Sequence, residues 1–426
     1  MNNWIKFSLS AIAAAAVVVS PVASSGTVRA ASAQPAIQVI LDDVPLSLGS
    51  KPIMISNTTM VPFRAFANAL GVDVVWDTAT KSVRAEAPVN GTVRKIVLTL
   101  GKKQALVDGK SVPVAVAPVI VDNTTYIPLS FFGSQFGAKA AWNGTTKTVS
   151  IVSPKKAMHL RAFYALKSYP QRARIPLMDS VAFGWSRIDA NGELTLEGID
   201  YNWPEAAGED TPEAIVRGAA EAGADPYLMV YAVDGKGELT KMLSDTSLAA
   251  KSIDNIVRLA SDNGFSGVQI DYEGLGLKLD AAGQQKLLND YTKLLSDRLK
   301  EKNIKLSLAV PPPNGSYKGY DYKTLAALAD DLVLMAYDFN PKPTPDHTPD
   351  PNAKVVASIE QTLQAGVPAD RLILGISLWN ETTSTVDDKL GLAKRYGLKG
   401  ASFWRLTFYS DAFVEAIGNS AVKAGE

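Results

Sequence analysis

Through the middle and end of the chain, short apolar runs alternate with segments whose apolar residues recur three and four positions apart. The runs are His159 to Leu166, Ser180 to Trp185, Tyr227 to Val233, Gly267 to Glu273, Leu306 to Val310, Leu332 to Asp338, Leu372 to Trp379 and Ala401 to Leu406. Their length reads as buried strand. The intervening periods, such as Ile253, Ile256, Val257 and Ala260, then Leu287, Leu288, Tyr291, Leu294 and Leu295, read as helices with one apolar face. Eight strands alternating with helices over residues 155–426 predict an α/β fold of the (β/α)8, or TIM, barrel type rather than an open doubly wound sheet. No glycine-rich phosphate loop follows any of these strands, which argues against a nucleotide enzyme.

Ahead of the polar joint Ser153-Pro154-Lys155-Lys156 the pattern changes to an internal repeat. Residues 57–85 align without gaps on residues 123–151: Asn57-Thr58-Thr59 on Asn123-Thr124-Thr125, Pro62 on Pro128, Phe66 on Phe132, Gly71 on Gly137, Trp76 on Trp142, Thr80-Lys81 on Thr146-Lys147 and Val83 on Val149. Each copy reads as an exposed turn, a strand entering a short helix at the proline, a glycine stop, and a Trp-bearing strand turning into another. Two copies predict one small α+β domain over residues 36–153, with Trp76 and Trp142 as core residues in preference to ligand-stacking ones.

The run Gly264-Phe-Ser-Gly-Val-Gln-Ile-Asp-Tyr-Glu-Gly274 concentrates chemistry at its end. Side chains alternate across a strand, so Gly267, Gln269, Asp271 and Glu273 share one face while Val268, Ile270 and Tyr272 share the other. In a parallel barrel the polar face points to the axis, and its carboxyl end is where active sites are built. Two carboxylates there are suited to acid-assisted bond cleavage. They lie about 7 Å apart by strand rise, near enough to couple but not obviously placed as the second carboxylate of an ordinary retaining pair.

Composition narrows the setting. Lys plus Arg and Asp plus Glu each number 43 and 46% of residues are hydrophobic, which leaves no net field for a polyanion, so nucleic acid is not an expected partner. Lys6, an apolar run from about Ala11 to Val19, and small residues ending at Ala31-Ser32-Ala33 read as a signal peptide over residues 1–33. The expectation is a secreted protein, extracellular or wall-associated, with no membrane segment after cleavage; an uncleaved anchor is the alternative. Cysteine is absent, so no thiolate metal site or disulfide can form. His159 and His347 are the only imidazoles and lack metal-ligand spacing, so they read as packed or solvated, and neither a metal nor a cofactor is expected.

Two resemblances follow from these residues. Val-Pro-Phe-Arg-Ala-Phe at 61–66, Val-Val-Trp-Asp at 74–77 and their second-copy counterparts resemble the copper amine oxidase N-terminal-like, or stalk, domain. The segment contains no histidine, so no copper site is implied. Residues 155–426 resemble glycoside hydrolase family 18, the chitinase-like family. The strand-four signature Asp-Gly-x-Asp-x-Asp-x-Glu is matched by Ser266 to Glu273, the sixth-strand Met-x-Tyr-Asp by Met335-Ala336-Tyr337-Asp338, and the seventh-strand Gly-Ile-x-Leu by Gly375 to Leu378. Trp404 stands at the end of the eighth.

That resemblance implies Glu273 as the acid, Asp271 as support for the substrate's 2-acetamido nitrogen, and Tyr337 on the acetamido oxygen. It also implies Asp338 in the sugar-binding network and Trp404 as the floor under the ring. Gln269 and Met335 belong to the same motifs, and Trp185, Tyr231 and Trp379 fall at strand ends where stacking aromatics are wanted, although Trp185 and Tyr231 read equally as packing. Ser266 and Gln269 replace the first two signature aspartates, and Met229 to Asp234 lacks the Ser-x-Gly-Gly of chitinases. Both departures point toward the peptidoglycan and spore-cortex glucosaminidase branch. The expected partner is an N-acetylglucosamine polymer, peptidoglycan before chitin, with the stalk as a possible wall anchor. A chitinase and a non-catalytic sugar-binding wall protein remain the alternatives.

Overall fold

The computed structural model describes residues 36–89, 91–339 and 348–424. The proposed signal peptide and His347 lie outside them, as does most of the proline-rich stretch 341–351. No described helix is long and apolar enough to cross a membrane.

Eight parallel strands close into a barrel: β1 Lys156–Tyr164, β2 Ser180–Ile188, β3 Asp225–Val233, β4 Gly267–Glu273, β5 Lys305–Val310, β6 Asp331–Leu334, β7 Leu372–Ser377 and β8 Gly400–Trp404. Each pairs in parallel with the next, and β8 returns to β1 through His159 opposite Gly400 and Ala162 opposite Phe403. The outward residues of β4, Val268, Ile270 and Tyr272, pack with the helices in the main core. Inside the barrel a smaller apolar layer gathers Phe163, Ala182, Tyr227, Met229, Ala309, Val333 and Ile373. Gly267 has no side chain because Tyr227 occupies the space: a Cβ there would lie 2.2 Å from its ring.

A charged layer crosses the same interior. Arg161 is fully buried and donates to both oxygens of Asp331 at 2.9 and 3.2 Å, to Ser307 at 2.7 Å and to Gln269 Oε1 at 2.9 Å. Such a charge is tolerable in the interior only because it is paired and hydrogen-bonded. His159 is packed at its edge, 2.8 Å from Ser180 Oγ.

The small domain realises the repeat. Strand Thr58–Pro62 enters helix Phe63–Ala69 and continues to strand Asp73–Asp77; Thr124–Pro128, Leu129–Gln135 and Lys139–Asn143 are the second copy. Gly71 and Gly137 terminate the helices in left-handed conformation, at φ 67° and 83°. The copies pair through Val61 and Ile127 and share a core in which Phe66 and Phe132 lie 6.0 Å apart. Trp76 packs on that core, but Trp142 does not: it is 44% exposed on an outer strand with every side chain exposed, which corrects its reading as a core residue.

The domain meets the barrel through Arg395, which donates to the carbonyls of Leu41 and Val44 at 2.8 and 3.1 Å.

Candidate active site

Strand β4 delivers its two carboxylates to the carboxyl end of the barrel. Asp271 is buried and Glu273 is half-buried in a cleft of about 300 Å³. Met335, Tyr337, Asp338 and Trp404 line the same cleft, so six of the residues singled out by sequence converge. The sixth strand is shorter than its apolar run suggests: β6 ends at Leu334, Met335 N–H still donates to the Val310 carbonyl at 2.9 Å, and Ala336 to Asp338 leaves the ladder. That departure places Tyr337 and Asp338 in the lining of the cleft.

Electrostatics separate the two acids from ordinary surface carboxylates. Burial, then the negative charge of Asp338, pushes Glu273 up to about 7. Burial and the neighbouring Glu273 raise Asp271 well above the usual carboxylate range, and its Oδ1 has no hydrogen-bond partner. The Tyr337 phenol is raised by burial and by the charges of Asp271, Glu273 and Asp338, so it remains a donor across the working range.

Asp338 is held in place rather than left mobile. Its backbone is left-handed at φ 51°, its N–H donates to Asp350 Oδ1 at 3.1 Å, and its Oδ1 accepts from Asn380 Nδ2 at 2.9 Å. Asn380 also donates to Asp350 Oδ2 at 3.0 Å, and the Asp350 N–H donates to Glu381, which pairs with buried Lys389. Burial pushes Asp350 up to about 6.

Four sequence candidates fall elsewhere. Gln269 is fully buried below the cleft with Oε1 on Arg161, so it touches no ligand space. Trp185 is buried among Tyr164, Phe183 and Trp203, at ring separations of 4.7–5.6 Å, and lines a neighbouring pocket instead of this cleft. Trp379 is 46% exposed and rests on Phe408 at 4.9 Å, outside the cleft lining. Tyr231 lies opposite Asp271 in register and stacks on Tyr201 at 4.1 Å, beside the carboxylates rather than in the cleft lining.

Sequence reasoning did not single out Tyr201, whose phenol feels both Asp271 and Glu273, or Tyr317, Phe339 and the Pro311-Pro312 wall of the cleft. The run of three prolines directly after β5, at the active end of the barrel, was the one available signal for that wall. Among the described residues no group of three or more acidic or imidazole side chains is arranged to hold a metal.

A closed parallel barrel with a raised carboxylic acid at the end of its fourth strand and a Tyr-Asp pair beyond its sixth defines a glycosidase-type site. Residues 227–392 match the model of glycosyl hydrolases family 18, and residues 40–151 match that of the copper amine oxidase N-terminal domain. The chain thus carries a family 18 glycosidase barrel behind a copper amine oxidase N-terminal domain.

Over 213 residues it is 28% identical to the "Putative sporulation-specific glycosylase YdhD" of Bacillus subtilis, covering 48% of this chain and 46% of that protein. It therefore spans about half the length of that relative. The Bacillus cereus spore cortex-lytic enzyme SleL superposes with a TM-score of 0.52 at 16% identity, over 64% of this chain and 77% of the other. A chitinase from Chromobacterium violaceum superposes at 0.50 and 22% identity, over 62% and 99%. At such identities these two likenesses establish the fold.

Proposed function

We propose that the chain is an exported glycosidase that cleaves β-1,4 bonds following N-acetylglucosamine in peptidoglycan, using the substrate's own 2-acetamido group as nucleophile. The observation that carries this reading is the acid at Glu273: burial and the charge of Asp338 keep it protonated near neutral pH, at the strand end where a leaving oxygen would sit. Glu273 gives its proton to that oxygen while the acetamido carbonyl oxygen attacks the anomeric carbon, breaking one C–O bond and forming another.

Asp271, buried two positions back with a free Oδ1, is suited to the acetamido N–H as positive charge develops. Tyr337 donates to the acetamido oxygen, Trp404 underlies the ring, and Asp338 supports the network. Water then attacks the same carbon from the side the leaving group vacated, giving a proton to the Glu273 carboxylate as the bond to the acetamido oxygen breaks, which restores the acetamido group and gives net retention. The sporulation glycosylase relative and the amide at Gln269 support peptidoglycan over chitin. The N-terminal domain fits a wall-associating spacer.

The test is mass spectrometry of purified peptidoglycan treated with the protein, beside Glu273→Gln and with chitin oligomers in parallel. New fragments ending in reducing N-acetylglucosamine, absent with the variant, are expected. Cleavage of chitin oligomers alone would move the assignment to a chitinase. Binding without products from either polymer would make the protein a wall lectin.

A further inference from the structure

Beside the catalytic cleft, at the carboxyl ends of β1 and β2, lies a second and larger pocket of about 540 Å³. It is contiguous with the site in chemistry. Arg405, which lines it, directly follows Trp404 of the cleft, and Tyr201, which also lines it, sits within electrostatic reach of Asp271 and Glu273.

The pocket is built at a cost in backbone strain. Leu166, Lys167 and Tyr201 all line it in left-handed conformation, at φ 46°, 66° and 53°, which side chains with a Cβ adopt reluctantly. The strained turn is pinned: Thr407 Oγ1 donates to the Leu166 carbonyl at 2.9 Å and accepts from Arg405 Nε at 3.2 Å. β2 bulges between Gly184 and Ser186, and a Cβ on Gly184 would lie 2.8 Å from Ala165 Cβ and 3.3 Å from the Tyr201 ring. Bulges and bare glycines at a barrel mouth re-aim side chains around a ligand.

Its lining is mixed in charge. Lys167 is exposed at the mouth, and Arg405 feels Asp200 without a salt bridge to it. Asp210 is already engaged by Arg172 at 2.9 Å and by the Tyr169 hydroxyl at 2.7 Å, whereas Glu205 stands exposed on the rim. Ile199 is 98% exposed at the edge and adds an apolar contact. An unsubstituted N-acetylated sugar could use such a lining only for hydrogen bonds, since it carries no charge to set against Lys167 and Arg405. A short peptide bearing carboxylates and an amine does.

Resting on the proposed peptidoglycan reading, we infer that this pocket receives the carboxylate-bearing acyl or peptide substituent of a sugar neighbouring the one cleaved, with Lys167 and Arg405 facing its carboxylates.

The test compares kcat/KM on three glycans of matched length: strands carrying their peptide stems, strands stripped to the bare lactyl carboxylate, and chitin oligomers. Wild type is set beside Lys167→Ala and Ile199→Glu, both exposed positions where folding is not at risk. The expected result is a roughly three- to fivefold fall in the ratio of stem-bearing to chitin kcat/KM in each variant, fading at high salt. A fall confined to stem-bearing strands assigns the pocket to the peptide; an equal fall on lactyl strands assigns it to the sugar-linked carboxylate. An unchanged ratio would overturn the inference.

Should wild type cleave none of the three, the peptidoglycan reading fails by itself. The pocket is then judged by titrating muramyl dipeptide into wild type and Lys167→Ala: at least threefold weaker binding to the variant supports it, and equal binding or none to either overturns it.

Discussion

The acid limb of this site can be tested through a residue that never touches the proton. Glu273 is displaced from an ordinary value of 4.5 to about 7, first by burial and second by the charge of Asp338. That displacement corresponds to about 3 kcal/mol favouring the protonated form. Because burial is the larger cause, Asp338 supplies less than half, or about one pH unit at most. Asp338→Asn removes the charge while leaving an oxygen to accept from Asn380, so the loop keeps its anchor.

On the proposed mechanism Glu273 must carry its proton to protonate the leaving group, so activity should be present below its pKa and lost above it. In wild type the descending limb of kcat/KM should centre near pH 7. In Asp338→Asn it should move down, toward pH 6, and most of that difference should vanish at high salt because Asp338 is exposed. The assay is a pH series of initial rates on one soluble oligosaccharide at two ionic strengths. A limb near pH 4.5 in wild type, or one unmoved in the variant, would refute the account of how Glu273 is held protonated.

Three further outcomes follow from the same geometry. Asp331→Ala leaves buried Arg161 without its carboxylate and should cost about 3–5 kcal/mol, roughly 6–20 °C in Tm by calorimetry. His159 is kept neutral by burial and by Arg161, its pKa lowered from 6.5 to about 3. Below pH 6.5 the unfolded chain therefore gains a proton that the folded chain refuses, and stability should decline from pH 6.5 toward 3. His159→Gln should flatten the upper part of that decline, from pH 6.5 to 5, in urea melts. Trp404→Ala removes the cleft floor that stands edge-on to Phe163 at 5.3 Å, and should lower kcat/KM roughly ten- to a hundredfold through about 1.5–3 kcal/mol of lost contact. Circular dichroism should remain unchanged.

What was legible in the sequence divides along a physical line. Strand order, the repeat and the two carboxylates were readable because apolar periodicity and alternation are local and repeat themselves. The position of Trp185 was not, because an aromatic near a strand end can face the barrel axis or the helices, and the bulge between Gly184 and Ser186 alters the facing just there. Trp142 misled for the opposite reason: its repeat partner Trp76 packs on the core, and only three-dimensional context shows that the second copy lies at an uncovered edge. Tyr201 was invisible because it sits in a loop, left-handed and remote in sequence from the acids it faces.

Gln269 shows how a departure from a family signature can preserve the site it departs from. The position is fully buried beside Arg161, whose charge already meets both oxygens of Asp331. A second carboxylate there would face one guanidinium shared with Asp331, and would lie on the same strand face as Asp271, itself raised by burial and then by Glu273. A third acid in the column of residues 269, 271 and 273 would compete with Asp271 and Glu273 for protons. The amide removes that competition while its Oε1 still accepts from Arg161.

Gln269 Nε2 and, two positions on, Asp271 Oδ1 are both buried without a hydrogen bond. Leaving such an atom unpaired costs about 1–3 kcal/mol. On the proposed mechanism, an acetamido N–H entering the cleft would end that deficit for Asp271, so the cost of its unpaired oxygen would be returned as affinity for an N-acetylated substrate.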